Sequence, residues 1–348
     1  MNVKTIKLKN FRSHYQLNLE FNKGINVLEG RNACGKTNIA EALYYLSLAR
    51  SFRKVDDSQL ISYNHEIAEI ESLINEGDVK RKIKIIIDKN GKYIFLNGNK
   101  IKRISELSNV VNAIVFEPKD VLLFKGSPKE RRNFLDLSIS KISNIYLEYL
   151  NEYEKILKER NEALKDKNFD KNLLEILTDK LINISEKIIT YRMSFSKDIN
   201  DILNKLAHAL TGVRTHVVMN YQPFVTYNSS FKIEAKKYYE KYLENDLKNK
   251  STSIGIHRED FYVKYNDKNI AEYGSQGENR MVALALKLSP YFLQKDKNKR
   301  PFIILDDVMS ELDQTHQIRL IKLLKKFEQV FITTTKLQID GVNHYQIK

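Results

Sequence analysis

Hydrophobic and polar positions divide the chain into three textures. From the N-terminus to about residue 120, short apolar runs alternate with polar links, as strands require. They fall at Val3 to Leu8, Leu17 to Phe21, 25–28, Glu66 to Ile74 and Lys80 to Ile87. Asn90-Gly91 and Asn97-Gly98 are tight-turn dipeptides, so Lys82 to Lys100 reads as antiparallel hairpin strands. From about Leu122 to Leu210 glycine nearly vanishes, Pro128 is the one proline, and apolar residues recur at spacings of three and four. This predicts two helices, Lys129 to Lys165 and Leu173 to Leu210, joined by the polar break Asp166 to Asp170. At about 40 residues each would span roughly 60 Å. The third part is mixed again. Val213 to Tyr221, Thr252 to Ile256, Phe261 to Tyr265, 302–305 and Gln329 to Ile332 read as strands; Glu234 to Leu247, Asn279 to Leu293 and Gln314 to Phe327 read as helices. The implied domain boundaries are 1–120, 121–211 and 212–348, the middle part inserted between two halves of an α/β core.

Gly30-Arg31-Asn32-Ala33-Cys34-Gly35-Lys36-Thr37 is a full G-x-x-x-x-G-K-[ST] match. It lies between the apolar run 25–28 and the helical pattern from Asn38 to Arg50, the context a P-loop demands. Its glycines let successive N–H groups turn inward, and the helix that follows adds its positive end, so the turn is suited to phosphate oxygens. Lys36 is expected at the β- and γ-phosphates of ATP and the Thr37 hydroxyl at Mg2+. Cys34 occupies a free position and reads as a spacer.

Phe302-Ile303-Ile304-Leu305-Asp306-Asp307 reads as a central parallel strand buried on both faces. Its carboxylates emerge at the C-terminal edge, where ligands bind in open α/β sheets. Asp306 is the candidate second Mg2+ ligand, and Asp307 the candidate that orients or deprotonates the attacking water. About 30 residues earlier, Ser275-Gln276-Gly277-Glu278 opens a helix. A hydroxyl, N–H groups and a helix N-terminus make a second phosphate receptor, with an ordinary helix cap as the alternative. Two receptors in one chain make sense if Ser275 acts in trans, on the γ-phosphate held by a second copy. Ser310-Glu311-Leu312-Asp313 would then be the loop that such copies pack against each other.

Charge adds a partner. Lys+Arg 58 against Asp+Glu 44 gives +14, which points to a polyanion such as nucleic acid or to solubility alone. The three parts carry +6, +2 and +6, so the excess lies outside the helical insertion. Lys80, Arg81, Lys82 and Lys84 either touch phosphates or guard a solvent-facing edge. One cysteine excludes a disulfide framework and a Cys-based zinc site and fits a reducing cytoplasm. No apolar run of about 18 residues is present, so no membrane span is expected.

Several well-separated motifs together resemble the RecF family, bacterial recombination mediator ATPases of the SMC-like branch of the ABC superfamily. They are LKNFR at 8–12, the P-loop with NIAEALYYLSLARSFR, FEPKD and GSPKERRNFLD at 116–136, GIHRED at 255–260, SQGENRMVALALKL at 275–288, and FIILDDVMSELD followed by FITTT. The resemblance implies an ABC/SMC-like ATPase head with an inserted helical lobe, slow DNA-stimulated ATP hydrolysis, and ATP-dependent homodimerisation. It further implies binding to duplex DNA and to single-strand/double-strand junctions, and cooperation with RecR and RecO in placing RecA at gaps. It also places Arg12 at the nucleotide and marks His257, Arg258 and Asp260, either as a salt-bridged scaffold or as nucleotide or DNA contacts. Arg131 and Arg132 are open to DNA or interdomain contact.

Departures are visible as well. Asp307 stands where many ABC relatives carry glutamate, one methylene longer, so slow turnover is expected. No glutamine appears near Glu117, and Thr334 or Thr335 takes the switch position usually held by histidine. The rival from another class, an ATP-hydrolysing subunit of a membrane transporter, is opposed by the helical insertion, the basic surplus and the altered signature.

Overall fold

The computed structural model of the chain describes residues 1–108, 110–166, 170–337 and 340–348. In chain order the first elements are β1 (Asn2–Phe11), β2 (His14–Glu20), β3 (Gly24–Glu29), α1 (Lys36–Leu48), β4 (Ala68–Glu76), β5 (Val79–Asp88), β6 (Gly91–Leu96), β7 (Asn99–Lys100), α2 (Ile104–Ser108) and β8 (Ala113–Phe116). Next come α3 (Pro128–Ser140), α4 (Asn144–Ala163), α5 (Lys171–Thr211), β9 (Val217–Gln222), α6 (Phe231–Asn249), β10 (Asp260–Tyr265), β11 (Lys268–Asn269) and α7 (Ile270–Tyr273). The last are α8 (Gln276–Leu288), α9 (Pro290–Leu293), β12 (Phe302–Asp306), α10 (Gln314–Leu324), β13 (Gln329–Thr334) and β14 (Asn343–Gln346).

The chain divides into two compact units. One holds Met1–Val121, Lys205–Arg214 and Arg280–Lys348; the other holds Leu122–Asn204 and Thr215–Asn279. The N-terminal stretch of the first unit ends at Val121, and residues 215–279 fall in the same unit as the long helices. The cause is specific. Asn200 and Asn204 of α5 spend their amides on the β9 backbone, at Met219 (2.8 and 3.2 Å) and Val217 (2.7 and 2.8 Å), so the helix supplies the hydrogen bonds of a sheet edge.

Two sheets build the first unit. One is antiparallel in the order β2-β1-β4-β5-β6-β7; the other is parallel throughout in the order β14-β3-β13-β12-β8. Helix α1 touches β1 and β4 of the first and β8, β12 and β13 of the second. It is accordingly buried from Ile39 through Ser47, as a helix with an apolar surface all round must be. Every residue of β12 is buried, which explains why its sequence does not alternate. The register sets Asp306 beside Thr333 and Thr334 beside Glu29, lining up the carboxyl ends of β12, β13 and β3.

In the second unit two buried arginines are the fixed points. Arg192 of α5 donates to Asp136 and Glu259 (2.8 Å each) and to the Ile256 carbonyl (3.0 Å). Arg160 of α4 donates to Asp246 (2.8 Å), Thr252 (2.7 Å) and Thr178 (3.0 Å). The helix expected over Lys129 to Lys165 is two helices, α3 and α4, with Ser143 accepting from Tyr146 N–H as the cap of the second. Residues 167–169 of the expected break lie outside the described residues. Thr252 to Ile256 is not a strand: Asp246 accepts from both N–H and hydroxyl of Ser253 and holds the segment as a turn.

Candidate functional site

The P-loop is the turn from β3 to α1. Gly35 has φ +94°, and a Cβ there would meet His14 Nε2 at 2.5 Å, so both conformation and space exclude a side chain. The close neighbour is itself a clamp. His14 Nε2 lies 3.1 Å from the Gly35 carbonyl, and Asn38 Nδ2 donates to Ser13 Oγ at 2.8 Å, so the β1–β2 turn fastens the loop. Lys36 Nζ donates to the Gly30 and Arg31 carbonyls, each at 2.7 Å, with Cys34 Sγ at 3.9 Å. The ammonium is thus fixed at the mouth of its own loop.

A cleft of about 200 Å³ opens there, lined by Asn32, Ala33, Gly35, Lys36, Thr37, Asn38, Arg53, Asp307 and Thr333. Asp306 is buried beside it and accepts from Thr333 Oγ1 at 2.6 Å; the same oxygen accepts from Asp307 N–H at 2.9 Å. Burial raises the Asp306 pKa, against the Thr333 and Thr37 hydroxyls and the charge of Arg53, which lower it. Asp307 follows in the left-handed region (φ 50°), which turns the chain at the strand's end. Ser310 Oγ donates to the Asp307 carbonyl at 2.9 Å, tying the next loop to this turn.

The sequence missed two residues of this cleft in part. Thr333, not Thr334 or Thr335, bonds the acidic pair; the Thr334 hydroxyl turns to the Lys336 carbonyl. Arg53, the last residue of the run NIAEALYYLSLARSFR, carries no site signal of its own in the sequence. Arg12, by contrast, is not among the lining residues: its guanidinium grips buried Glu41 with two 2.8 Å bonds and the Gln59 carbonyl with a third. Glu117 closes β8, its pKa raised by burial, and pairs with Lys119 at 2.9 Å.

Ser275 accepts from Glu278 N–H (3.2 Å) while Glu278 accepts from Ser275 N–H (2.8 Å), a reciprocal capping box. Asn279 donates to the Ile270, Gly274 and Ser275 carbonyls and anchors the turn before it. On β5, Lys82 and Lys84 face Glu69 and Glu71 of β4 at 2.6–3.7 Å, and Arg81 pairs with Glu76. Lys84 stands where β5 is paired on both sides, whereas Lys80 and Arg81 lie on the stretch of β5 that has β4 as partner and precedes its pairing with β6. His257 Nε2 donates to the Thr252 carbonyl (3.0 Å), which leaves Nδ1 of the neutral ring to accept from the Tyr153 hydroxyl (2.6 Å), and Asp260 takes a two-pronged bond from Arg131 at 2.7 Å. Arg132 donates to the Glu259 carbonyl, so both arginines are engaged within their own unit; Arg258 is exposed.

The sequence profile described as the RecF/RecN/SMC N-terminal domain matches residues 2–342. A "DNA replication and repair protein RecF" of Halalkalibacterium halodurans is 34% identical over all of this chain and 96% of its own length. The chain belongs to the RecF family. Another RecF, from Lachnoclostridium phytofermentans, is 36% identical over 97% of the chain and 94% of its own length. Among solved structures, "the recombination mediator protein RecF-ATPrS in RecFOR pathway" superposes with TM-score 0.89 at 34% identity, covering 100% of this chain and 96% of the other. An Smc head domain from Pyrococcus furiosus, at 19% identity and TM-score 0.58 over 96% of this chain and 89% of its own, shares the fold. RecF membership thus agrees with the ABC/SMC-like head expected from the motifs. Among the described residues no helix is long and apolar enough to cross a membrane.

Proposed function

We propose that this chain is an ATP-dependent, DNA-binding recombination mediator whose nucleotide lies in the P-loop cleft. The observation that carries the proposal is the convergence of Lys36, Thr37, Asp307 and Thr333 on one cleft, with Asp306 held beside it by Thr333. RecF relatives solved with ATP or ATPrS add to it. On this reading Gly30, Arg31, Asn32, Ala33, Cys34, Gly35 and Asn38 shape the phosphate loop, and Lys36 neutralises the phosphates.

The donor set suits Mg2+. One buried carboxylate and one hydroxyl are hard oxygen ligands, and among the described residues no cluster of three His, Cys, Asp or Glu competes as an all-protein metal cage. Thr37 and Asp306 would hold the ion, which would supply charge neutralisation to the phosphates. Asp307 would orient the attacking water, and its short side chain supports slow turnover.

Ser275 would act in trans on nucleotide held by a second copy, making the active form an ATP-dependent homodimer. That dimer would bind duplex DNA and single-strand/double-strand junctions through phosphates, with little sequence preference. It would work in the cytoplasm with RecR, and through RecO with RecA, and hydrolysis would release it. Filter binding of a short duplex tests the core of this reading. We expect retention with ATP, weakening steeply with salt, and none for Lys36→Ala; retention indifferent to ATP and to the variant would contradict it.

A further inference from the structure

Glu41 lies one helical turn beyond Thr37 on α1 and has no exposed surface. An unpaired carboxylate so placed is strongly destabilising, so its partners are informative. Arg12 takes both oxygens, through Nε and Nη2 at 2.8 Å each, and the Ser51 hydroxyl donates to one of them. Arg53 is the second cation, at 3.7 Å.

The two arginines are held unequally. Arg12 has 17% of its side chain exposed, and its third bond, to the Gln59 carbonyl, leaves it committed to the scaffold. Arg53 is 34% exposed and lines the cleft, held by the longer contact to Glu41 and a 3.3 Å bond to Asn38 Oδ1. Ser51 joins the two parts: it donates to Glu41 and accepts from the Arg53 backbone N–H at 3.0 Å.

We infer that Glu41 is a positioning residue for the nucleotide cleft: Arg12 anchors the buried carboxylate, and the carboxylate and Ser51 set where the Arg53 guanidinium stands. The inference rests on reading the cleft as an ATP site. Glu41 is fully buried and does not line the cleft, so it acts through Arg53, which does. Arg12 is then the anchor of the arrangement and not a nucleotide contact.

The experiment is a double-mutant cycle, with ATP affinity measured by a fluorescent analogue, single-turnover hydrolysis measured on DNA, and folding checked by circular dichroism. Glu41→Gln keeps the shape and removes the charge. It should lower the hydrolysis rate about tenfold, the scale of losing an orienting partner, while ATP affinity holds or tightens as a negative charge leaves the site. In an Arg53→Ala background the same change should cost nothing further, because residues acting as a unit are non-additive. If Glu41→Gln does not fold, Ser51→Ala removes the link and keeps the charge. It should lower the rate about threefold, again only when Arg53 is present. Rate losses that add to Arg53→Ala would overturn the inference and make Glu41 merely structural. Failure of the unaltered chain to bind the analogue would instead overturn the reading of the cleft.

Discussion

At the scale of single residues, Asp306 shows what the cleft costs. Its carboxyl is buried, which raises its pKa above 3.8 despite two hydroxyl partners. The folded chain therefore holds that proton more tightly than the unfolded chain. The group's contribution to stability is fullest below the unfolded pKa and is lost as pH rises through the raised value. Above the raised value the carboxylate carries its charge in a buried place, at a cost to the fold. Asp306→Asn should accordingly raise the melting temperature at pH 7 by about 2 °C while lowering hydrolysis at least about a hundredfold. Calorimetry and single-turnover assays read the two effects; a lower melting temperature would contradict the electrostatic account. Gly35 makes the complementary case for space: Gly35→Ala would drive a Cβ into His14 at 2.5 Å and should abolish ATP binding measured by equilibrium titration.

Elements carry the next level of argument. The capping box makes Ser275 part of a helix start in each chain, so Ser275→Ala should cost about 1 kcal/mol of local stability. Ser275→Arg should keep ATP binding and lose the ATP-dependent dimer; sedimentation showing that dimer unchanged would reject the action in trans. In the turn from 252 to 260, burial lowers the His257 pKa from 6.5 to about 4. Its stabilisation is present above pH 6.5 and is lost as pH falls toward 4, about 3 kcal/mol in all. His257→Phe should flatten urea stability between those pH values; an unchanged slope would show that the histidine is not buried neutral.

What was legible in the sequence follows from the same physics. Motif residues whose roles are local, Gly30 to Asn38 on the turn and Asp306-Asp307 at a strand end, stood out because spacing and periodicity report local structure. The α3–α4 break did not, because residues 141–143 contain neither glycine nor proline and the stop is made by a serine cap. The 252–256 turn was hidden because its β-branched residues are overruled by side-chain bonds that periodicity does not report, from Asp246 seven residues before Ser253 and from Arg160, distant in sequence. Arg53 and Thr333 were missed as site residues because only the closed fold brings them to Asp307 and Lys36.

The whole molecule joins a P-loop cleft to a net charge of +14. That excess is only partly free to meet DNA, since Lys82 and Lys84 are paired with Glu69 and Glu71. A phosphate-tracking surface is therefore better sought on a dimer, where two copies add their unpaired cations, than on the exposed face of the antiparallel sheet. Nucleotide-dependent pairing of copies is the claim on which this function turns. Static light scattering with and without ATP and Mg2+, on the chain alone and with a gapped duplex, tests it most directly. The mass should double when ATP, Mg2+ and gapped duplex are supplied together, and the doubling should disappear in Lys36→Ala. A mass of one chain under saturating ATP, Mg2+ and gapped duplex would contradict the account.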